Sequence, residues 1–439
     1  MFFVYRSRTK EKEGIMIPRK MTWLMLVMVI LTACGPKPTG NGTGGWIDWD
    51  GDDGWDGSYG EGVAGGEADG MVLAEAPGEA YRSEGDEESA VANQGGNLRA
   101  GSVDDNAQWD DYLLYRLQAA EWNLQVHDID VTQRYIVSVI TPSGQPVLGA
   151  EVSFEDHQGD EIVSLLTPAD GRALFFPASF GAEDEGPFTA VVRKDGSQAS
   201  VEITTEQREV EIVLETPATV EPVRLDIHFL IDVTGSMGDE IQQLKDNMIA
   251  IAEQIGELAS NPDVRFGMTV YRDRGDAFVS RTFDFTPDVE TFVEALREVE
   301  ANGGGDYPES LNEGLHNAIH LPEWRTEETV SIIFLVADAP PQLVYSQDYD
   351  YAVEVLVAAE RGIKIFPIAS SGLDDQGEYI FRQLAQITGG KFLFLTYGAG
   401  GAPGDDTTHH VDDYSVMSLD ELVLTMVMEE LAHLEGVQQ

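Results

Sequence analysis

Cysteine is almost missing from this chain: Cys34 is the single thiol in 439 residues. One thiol excludes an internal disulfide framework and a metal cluster built from thiolates. Positive charge is scarce as well, with 27 Lys and Arg against 78 Asp and Glu and a formal net charge of -51 at pH 7. No basic stripe interrupts this acidity, so a phosphate backbone is repelled and nucleic-acid binding is excluded as a function class. The counterions such a chain favours are cations, divalent ones included. The apolar stretch "MTWLMLVMVIL" (residues 21–31) is too short to span a bilayer. What is present is 42% apolar composition over a length that allows two or three domains with real cores. Length alone leaves an enzyme open.

Cys34 is explained by its neighbours. Arg19 and Lys20 precede the apolar stretch, and "LTAC" followed by Gly35 closes it. This is the order of a secretory signal: a positive n-region, an h-region of about 7–15 residues, then small residues before cleavage. The basic pair points to Met16 as the start of that signal. The segment resembles a bacterial lipoprotein signal, and the resemblance implies that residues 1–34 are a signal peptide and that Cys34 is the lipidated residue. Gly35 rather than Asp after the cysteine implies sorting to the outer membrane, with leaflet and exposure left open. An ordinary secretory signal with an incidental cysteine is the alternative.

Residues 35–125 are Gly-rich and acidic, without sustained apolar periodicity. Such a stretch buries too little surface to offset its ordering entropy and is expected to be a disordered tether. About 75 flexible residues would reach roughly 50 Å end to end. Residues 107–122 could form one short helix. Asp48, Asp50 and Asp52 alternate as in a calcium loop, but Asp53 stands where an EF-hand needs its turn glycine and Tyr59 where it needs Glu.

From residue 126 to 218 short alternating runs are separated by turns: "RYIVSVI", "AEVSFED", "EIVSLLT", "DGRALFF", "FTAVVRKDG", "ASVEITT" and "VEIVLE". That spacing predicts a small antiparallel β-sandwich. With "TPSGQPVLGAEVSF" and "TPADGRALF" it resembles carboxypeptidase regulatory-like or Ig-like modules, which implies a spacer or structural role.

The pattern changes at residue 222. Leu225, Ile227, Phe229 and Ile231 alternate as on a strand, and Ile241, Leu244, Met248, Ile251 and Ile255 then recur at helical spacing. Strand and helix signals continue in turn to the last helix, which opens with the capping box Ser418 to Glu421. Residues 222–439 are therefore predicted to be α/β, a doubly wound, mostly parallel sheet with helices on both faces. Pro367 inside a strand predicts an edge position or a bulge.

Ligands of such sheets bind beyond the carboxyl ends of the strands. Asp232, Thr234 and Ser236 in "FLIDVTGSMGDEI" fall there, as do Asp338 after "SIIFLVA" and Asp306 in "NGGGDYPES". Carboxylates and hydroxyls without thiolate suit Mg²⁺, Ca²⁺ or Mn²⁺. Gly235 is expected to leave room for the ion.

"DVTGS" matches D-x-[ST]-x-S, and residues 222–437 resemble the von Willebrand factor A domain with its metal-ion-dependent adhesion site. The resemblance implies a divalent cation, with Mg²⁺ favoured, held by the hydroxyls of Thr234 and Ser236 and by Asp232 and Asp338, directly or through water. Asp306 would replace the second-loop threonine of the family, adding negative charge next to the ion. The ion would then bridge to a carboxylate of an unidentified protein partner.

Rival readings use the same residues. Ser236, Asp338 and His409 or His410 follow the chain order of a serine hydrolase, but "TGSMG" lacks the first glycine of the nucleophile elbow, and Asp232 would oppose an oxyanion. Asp232 as a phosphatase nucleophile would want a carboxylate where Thr234 stands. No lysine follows a glycine-rich loop in Walker spacing. His409 and His410 among Asp405, Asp406, Asp412 and Asp413 could be a second metal site or a solvated loop near the ion. His228 is expected to be a packing or edge histidine, and the Arg274-Gly275-Asp276 tripeptide carries no assignment. The expectation is a lipid-anchored outer-membrane protein whose A-like domain mediates metal-dependent protein interaction.

Overall fold

The computed structural model describes residues 46–49 and 98–434, apart from 128, 183–185, 218–221, 240, 259, 306, 346 and 399–403. Cys34, the signal segment 1–34, Asp50, Asp52 and Asp306 lie outside the described residues.

The described chain opens with two short strands, β1 (Trp46–Trp49) and β2 (Arg99–Val103), and helix α1 (Trp109–Ala119). Seven strands follow: β3 (Tyr135–Ile140), β4 (Glu151–Glu155), β5 (Glu161–Leu166), β6 (Arg172–Phe175), β7 (Phe188–Lys194), β8 (Ser197–Ile203) and β9 (Glu209–Val213). The α/β section comprises β10 (Arg224–Asp232), α2 (Ile241–Gly256), β11 (Asp263–Tyr271), β12 (Ser280–Thr286), α3 (Val289–Arg297), α4 (Leu311–His320) and β13 (Thr329–Ala337). It continues with α5 (Tyr351–Glu360), β14 (Ile363–Ala369), α6 (Asp375–Thr388), β15 (Phe392–Thr396), β16 (Met417–Ser418) and α7 (Leu419–Ala432).

One nine-stranded sheet runs in the order β1-β12-β11-β10-β13-β14-β15-β2-β16. Its centre, β11-β10-β13-β14-β15, is parallel, and antiparallel strands close both edges. Leu225, Ile227, Phe229 and Ile231 of β10 face one core, shared with α2, α3 and α7. Leu230 faces the other, which takes Leu311 and Leu315 of α4, Tyr351 and Val355 of α5, Ile380 and Leu384 of α6, and Tyr112 and Tyr115 of α1. Local signals agree with this burial: Asp288, Asp350 and Asp374 cap α3, α5 and α6, Gly389 ends α6 in a left-handed conformation, and the Ser418–Glu421 capping box is formed. No helix among the described residues is long and apolar enough to cross a membrane.

Three expectations need correction. Residues 98–125 are not tether: β2 pairs along β15, Tyr112 and Tyr115 are buried, and Arg382 of α6 lies over the Tyr115 ring, 3.7 Å from its centroid. The strand β1 likewise pairs with β12. The α/β domain therefore begins before the sandwich, which is inserted between α1 and β10. Within the sandwich, one sheet is β5-β4-β7-β8, antiparallel throughout, and the other is β6-β3-β9, in which β3 and β9 run parallel. Finally, Pro367 sits in a central strand, not at an edge. The ladder from β14 to β15 contains only Ile368 and Ala369, so Pro367 stands just before the pairing that its missing N–H would have interrupted.

Candidate metal centre

β10 is the first strand of the parallel series and lies between β11 and β13, so the chain direction across the sheet reverses at its carboxyl end. Such a switch point leaves a crevice between diverging connections. Asp232 is the last residue of β10, and Asp338 directly follows β13.

The turn after β10 organises itself around Asp232. Its Oδ1 accepts hydrogen bonds from the Thr234 amide (2.9 Å) and the Thr234 hydroxyl (2.7 Å). The Ser236 hydroxyl lies 3.1 Å from Thr234 Oγ1 and stands near Asp338, whose charged form it favours. The structure thus brings Asp232, Thr234, Ser236 and Asp338 together. Gly235 has a reason other than room for an ion: a Cβ there would meet the Gly303 carbonyl oxygen at 2.8 Å, and its own N–H donates to that oxygen. The glycine loop also covers the turn at Gly304, where φ is +68° and a Cβ would meet both Thr234 and Glu309.

Glu309 is the residue the sequence reading missed. It sits in the same "GGGDYPES" segment as Asp306, just ahead of α4, with 4% of its surface exposed. Its one signal was membership of that glycine-rich segment, which does not fix where a side chain points. Asp276 bonds the Gly304 amide (2.8 Å), and Ser310 and Tyr345 hold Asp273, so further carboxylates stand behind the loop.

Electrostatics set these groups apart. Burial, reinforced by the charge of Asp338, pushes the Asp232 carboxyl up to about 7. Burial, followed by the charges of Asp232, Asp273, Asp276 and Asp338, pushes Glu309 up to about 9. Burial also raises Asp338. Asp232 Oδ2, Asp338 Oδ1 and Glu309 Oε2 are buried and accept no hydrogen bond among the described residues. Buried acceptors without a donor are costly, and mutually repelling carboxylates more so. A hard divalent cation answers both deficits, and this all-oxygen set fits one.

The rival sites disperse. His409 Nδ1 and His410 Nδ1 each lie 3.2 Å from Glu378 Oε2 on α6, and the His410 ring packs on Trp122 with centroids 4.3 Å apart and planes tilted by 34°. Ser236 engages the Thr234 hydroxyl instead of an imidazole. The Arg-Gly-Asp tripeptide is tied inward: Arg274 pairs with Asp348 at 2.9 Å and Asp276 holds the glycine loop. His228 is a packing residue in β10, bonded to Thr269 at 2.9 Å, and burial pushes it down to about 3. A cavity of about 580 Å³ lies elsewhere, between sandwich and α/β body. The carboxylate cluster is a rim site scaled to an ion.

A doubly wound domain with an Asp-x-Thr-x-Ser turn at its switch point and an acid after the next strand defines an α/β domain with an oxygen-lined rim site. Residues 226–397 match the von Willebrand factor A domain family, so the α/β part of the chain carries a domain of that type. Relatives include alpha-protein kinase vwkA of Dictyostelium discoideum, 34% identical over 31% of this chain and 21% of that protein. Human von Willebrand factor A domain-containing protein 7 is 35% identical over 44% of this chain and 20% of its own length. The chain thus spans about a fifth of the length of these relatives. Among solved structures, proximal thread matrix protein 1 from the mussel byssus, with a zinc-occupied MIDAS motif, is 19% identical at a TM-score of 0.31, over 37% of this chain and 39% of that one.

Proposed function

We propose that the A domain binds a divalent cation, Mg²⁺ in preference to Ca²⁺ or Mn²⁺, and through it a carboxylate of a protein partner. Asp232, Thr234, Ser236 and Asp338 would hold the ion, with Glu309 and Asp306 as additional acids from the glycine loop. The observation that carries this reading is the set of three buried carboxylate oxygens, on Asp232, Asp338 and Glu309, that lack a donor. When bound, the ion would supply positive charge and an open position for an acidic ligand. The chain's own work is to fix the hydroxyls of Thr234 and Ser236 and to keep competing lysine and arginine side chains away. An interaction module is favoured over a hydrolase because the histidines a hydrolase would need are bonded to Glu378. Lipid attachment at Cys34 and an outer-membrane location form part of the same proposal, resting on the signal sequence.

Thermal melting with Mg²⁺ tests the ion. Saturation at about 100 Kd should raise stability by about 2.7 kcal/mol. The gain should vanish in Asp232→Ala and shrink in Glu309→Gln. If wild type and Asp232→Ala melt alike with Mg²⁺ and with EDTA, the cation reading is wrong. Capture of envelope proteins by wild type in Mg²⁺, absent with Asp232→Ala, tests the partner.

A further inference from the structure

A second cluster of metal-ligating side chains stands apart from the carboxylate rim. His316 and His320 are four residues apart on α4, a spacing that places both on one helical face. Their rings stack at 4.3 Å. Across from them, α5 contributes Glu354, whose side chain is only 7% exposed. The carboxylate divides between the two imidazoles: Oε1 lies 2.8 Å from His316 Nδ1, and Oε2 lies 2.8 Å from His320 Nε2. Tyr349 stacks on His316 at 3.5 Å with planes 7° apart, which fixes the orientation of that ring. His320 is 36% exposed, so solvent reaches the cluster from its side. One nitrogen or oxygen from each of the three residues falls within 4.8 Å of the others.

We infer that His316, His320 and Glu354 form a second metal site, selective for a Zn²⁺-class transition ion. Two imidazoles and one carboxylate are the donor set Zn²⁺ takes with a water in the fourth position. Imidazole also discriminates against Mg²⁺ and Ca²⁺, which favour the oxygen-only rim. Without an ion, each neutral imidazole donates its facing N–H to Glu354. On binding, that proton moves to the other ring nitrogen, the facing nitrogen turns its lone pair to the metal, and an imidazolium releases one proton. Hydrogen-bonded ligands already pointing at one another need little rearrangement, which lowers the cost of assembling the site.

Co²⁺ is the probe, because its visible d–d absorption is strong in four-coordinate nitrogen–oxygen sites and weak in six-coordinate oxygen sites. The full chain is titrated with Co²⁺ in excess Mg²⁺. A strong band saturating at one equivalent is expected, unchanged in Asp232→Ala and lost or shifted to at least about 10-fold weaker affinity in His320→Gln and Glu354→Gln, since even changes to outer-shell partners of metal ligands cost that much. The half-exposed His320 at the helix end makes His320→Gln the variant that keeps the fold, verified by an unchanged circular dichroism spectrum. Equal Co²⁺ affinity in wild type and folded His320→Gln would overturn the site. So would a band lost in Asp232→Ala and kept in His320→Gln, which would assign the ion to the rim.

Discussion

At the scale of single residues, the molecule contains two kinds of buried carboxylate, separated by their partners. Asp232 and Glu309 face other acids and are driven upward, whereas Glu378 faces the Arg382 guanidinium and two histidines. Burial opposes the Glu378 charge, but hydrogen bonding and charge from His409, the His410 amide and the Arg382 guanidinium bring it down to about 2. A folded value below the ordinary 4.5 means that the ionised form stabilises the fold above pH 4.5. That contribution is lost as pH falls from 4.5 toward 2. Glu378→Gln should lower stability by about 2 kcal/mol near neutrality, the scale of a hydrogen bond to a charged group. Urea unfolding of both proteins from pH 7 to pH 3 checks this: the gap should narrow below pH 4.5, and a constant gap would refute the assignment. The sequence showed His409 and His410 beside acids, but the acid that holds them is 31 residues upstream in the chain, on α6. Local spacing was enough to place Asp232, Thr234, Ser236 and Asp338 at one rim because each sits at or just beyond the end of a strand, where direction is fixed by the sheet. Glu309 was hidden because a loop of three glycines leaves side-chain direction undetermined until Gly304 packs on Thr234.

At the scale of elements, helix and strand periodicity located the parallel strands and their helices, whereas β2 escaped notice. It offers Ala100 and Val103 as buried apolar residues, and composition counts Gly101 toward a flexible tether. In the fold Gly101 is a packing residue: a Cβ would meet the Phe394 ring at 2.8 Å and Tyr414 at 2.9 Å. Helix α1 was visible as a helix, yet its attachment depends on contacts no local window contains, such as Arg116 to the Tyr379 hydroxyl at 3.2 Å and Arg382 to Asp105 at 2.6 and 2.9 Å. Truncation separates tether from domain. A chain starting near residue 96 should keep both elements and their share of the stability. One starting near residue 126 strips the ladder from β15, exposes the site of Tyr112 and Tyr115, and leaves Arg382 without Asp105. Each large apolar side chain is worth about 1.5–3 kcal/mol of burial, so the loss should exceed ~3 kcal/mol. Coincident urea midpoints for the two chains would show that residues 98–125 are tether after all.

At the scale of the whole molecule, the inserted sandwich docks on the end of the sheet opposite the carboxylates. Gly362 and Lys364 lie at the amino-terminal end of β14, whereas Asp232 and Asp338 lie at the carboxyl ends of β10 and β13. A Cβ at Gly362 would meet the Leu166 carbonyl oxygen of β5 at 3.0 Å, and Lys194 of the sandwich pairs with Glu328 just before β13. The central fastener is Lys364, whose ammonium lies 3.0 Å from Asp170 of the sandwich and 2.8 Å from Glu430 of α7. Burial works against this charge, but Glu430 and Asp170 hold the Lys364 ammonium well above its ordinary pKa. Removing the cation would leave two acids facing each other in a largely buried joint, a change that costs about 3–5 kcal/mol for a buried pair. Lys364→Met should therefore weaken the joint and split one calorimetric transition into two, as the sandwich and the α/β body lose their coupling. Because the joint and the rim occupy opposite ends of the sheet, the Mg²⁺ affinity of Lys364→Met should stay within about twofold of wild type. A single unshifted transition would show that the ion triad does not couple the domains. A large fall in Mg²⁺ affinity would instead mean that the strands transmit strain from the sandwich to the rim, giving the insertion control over binding.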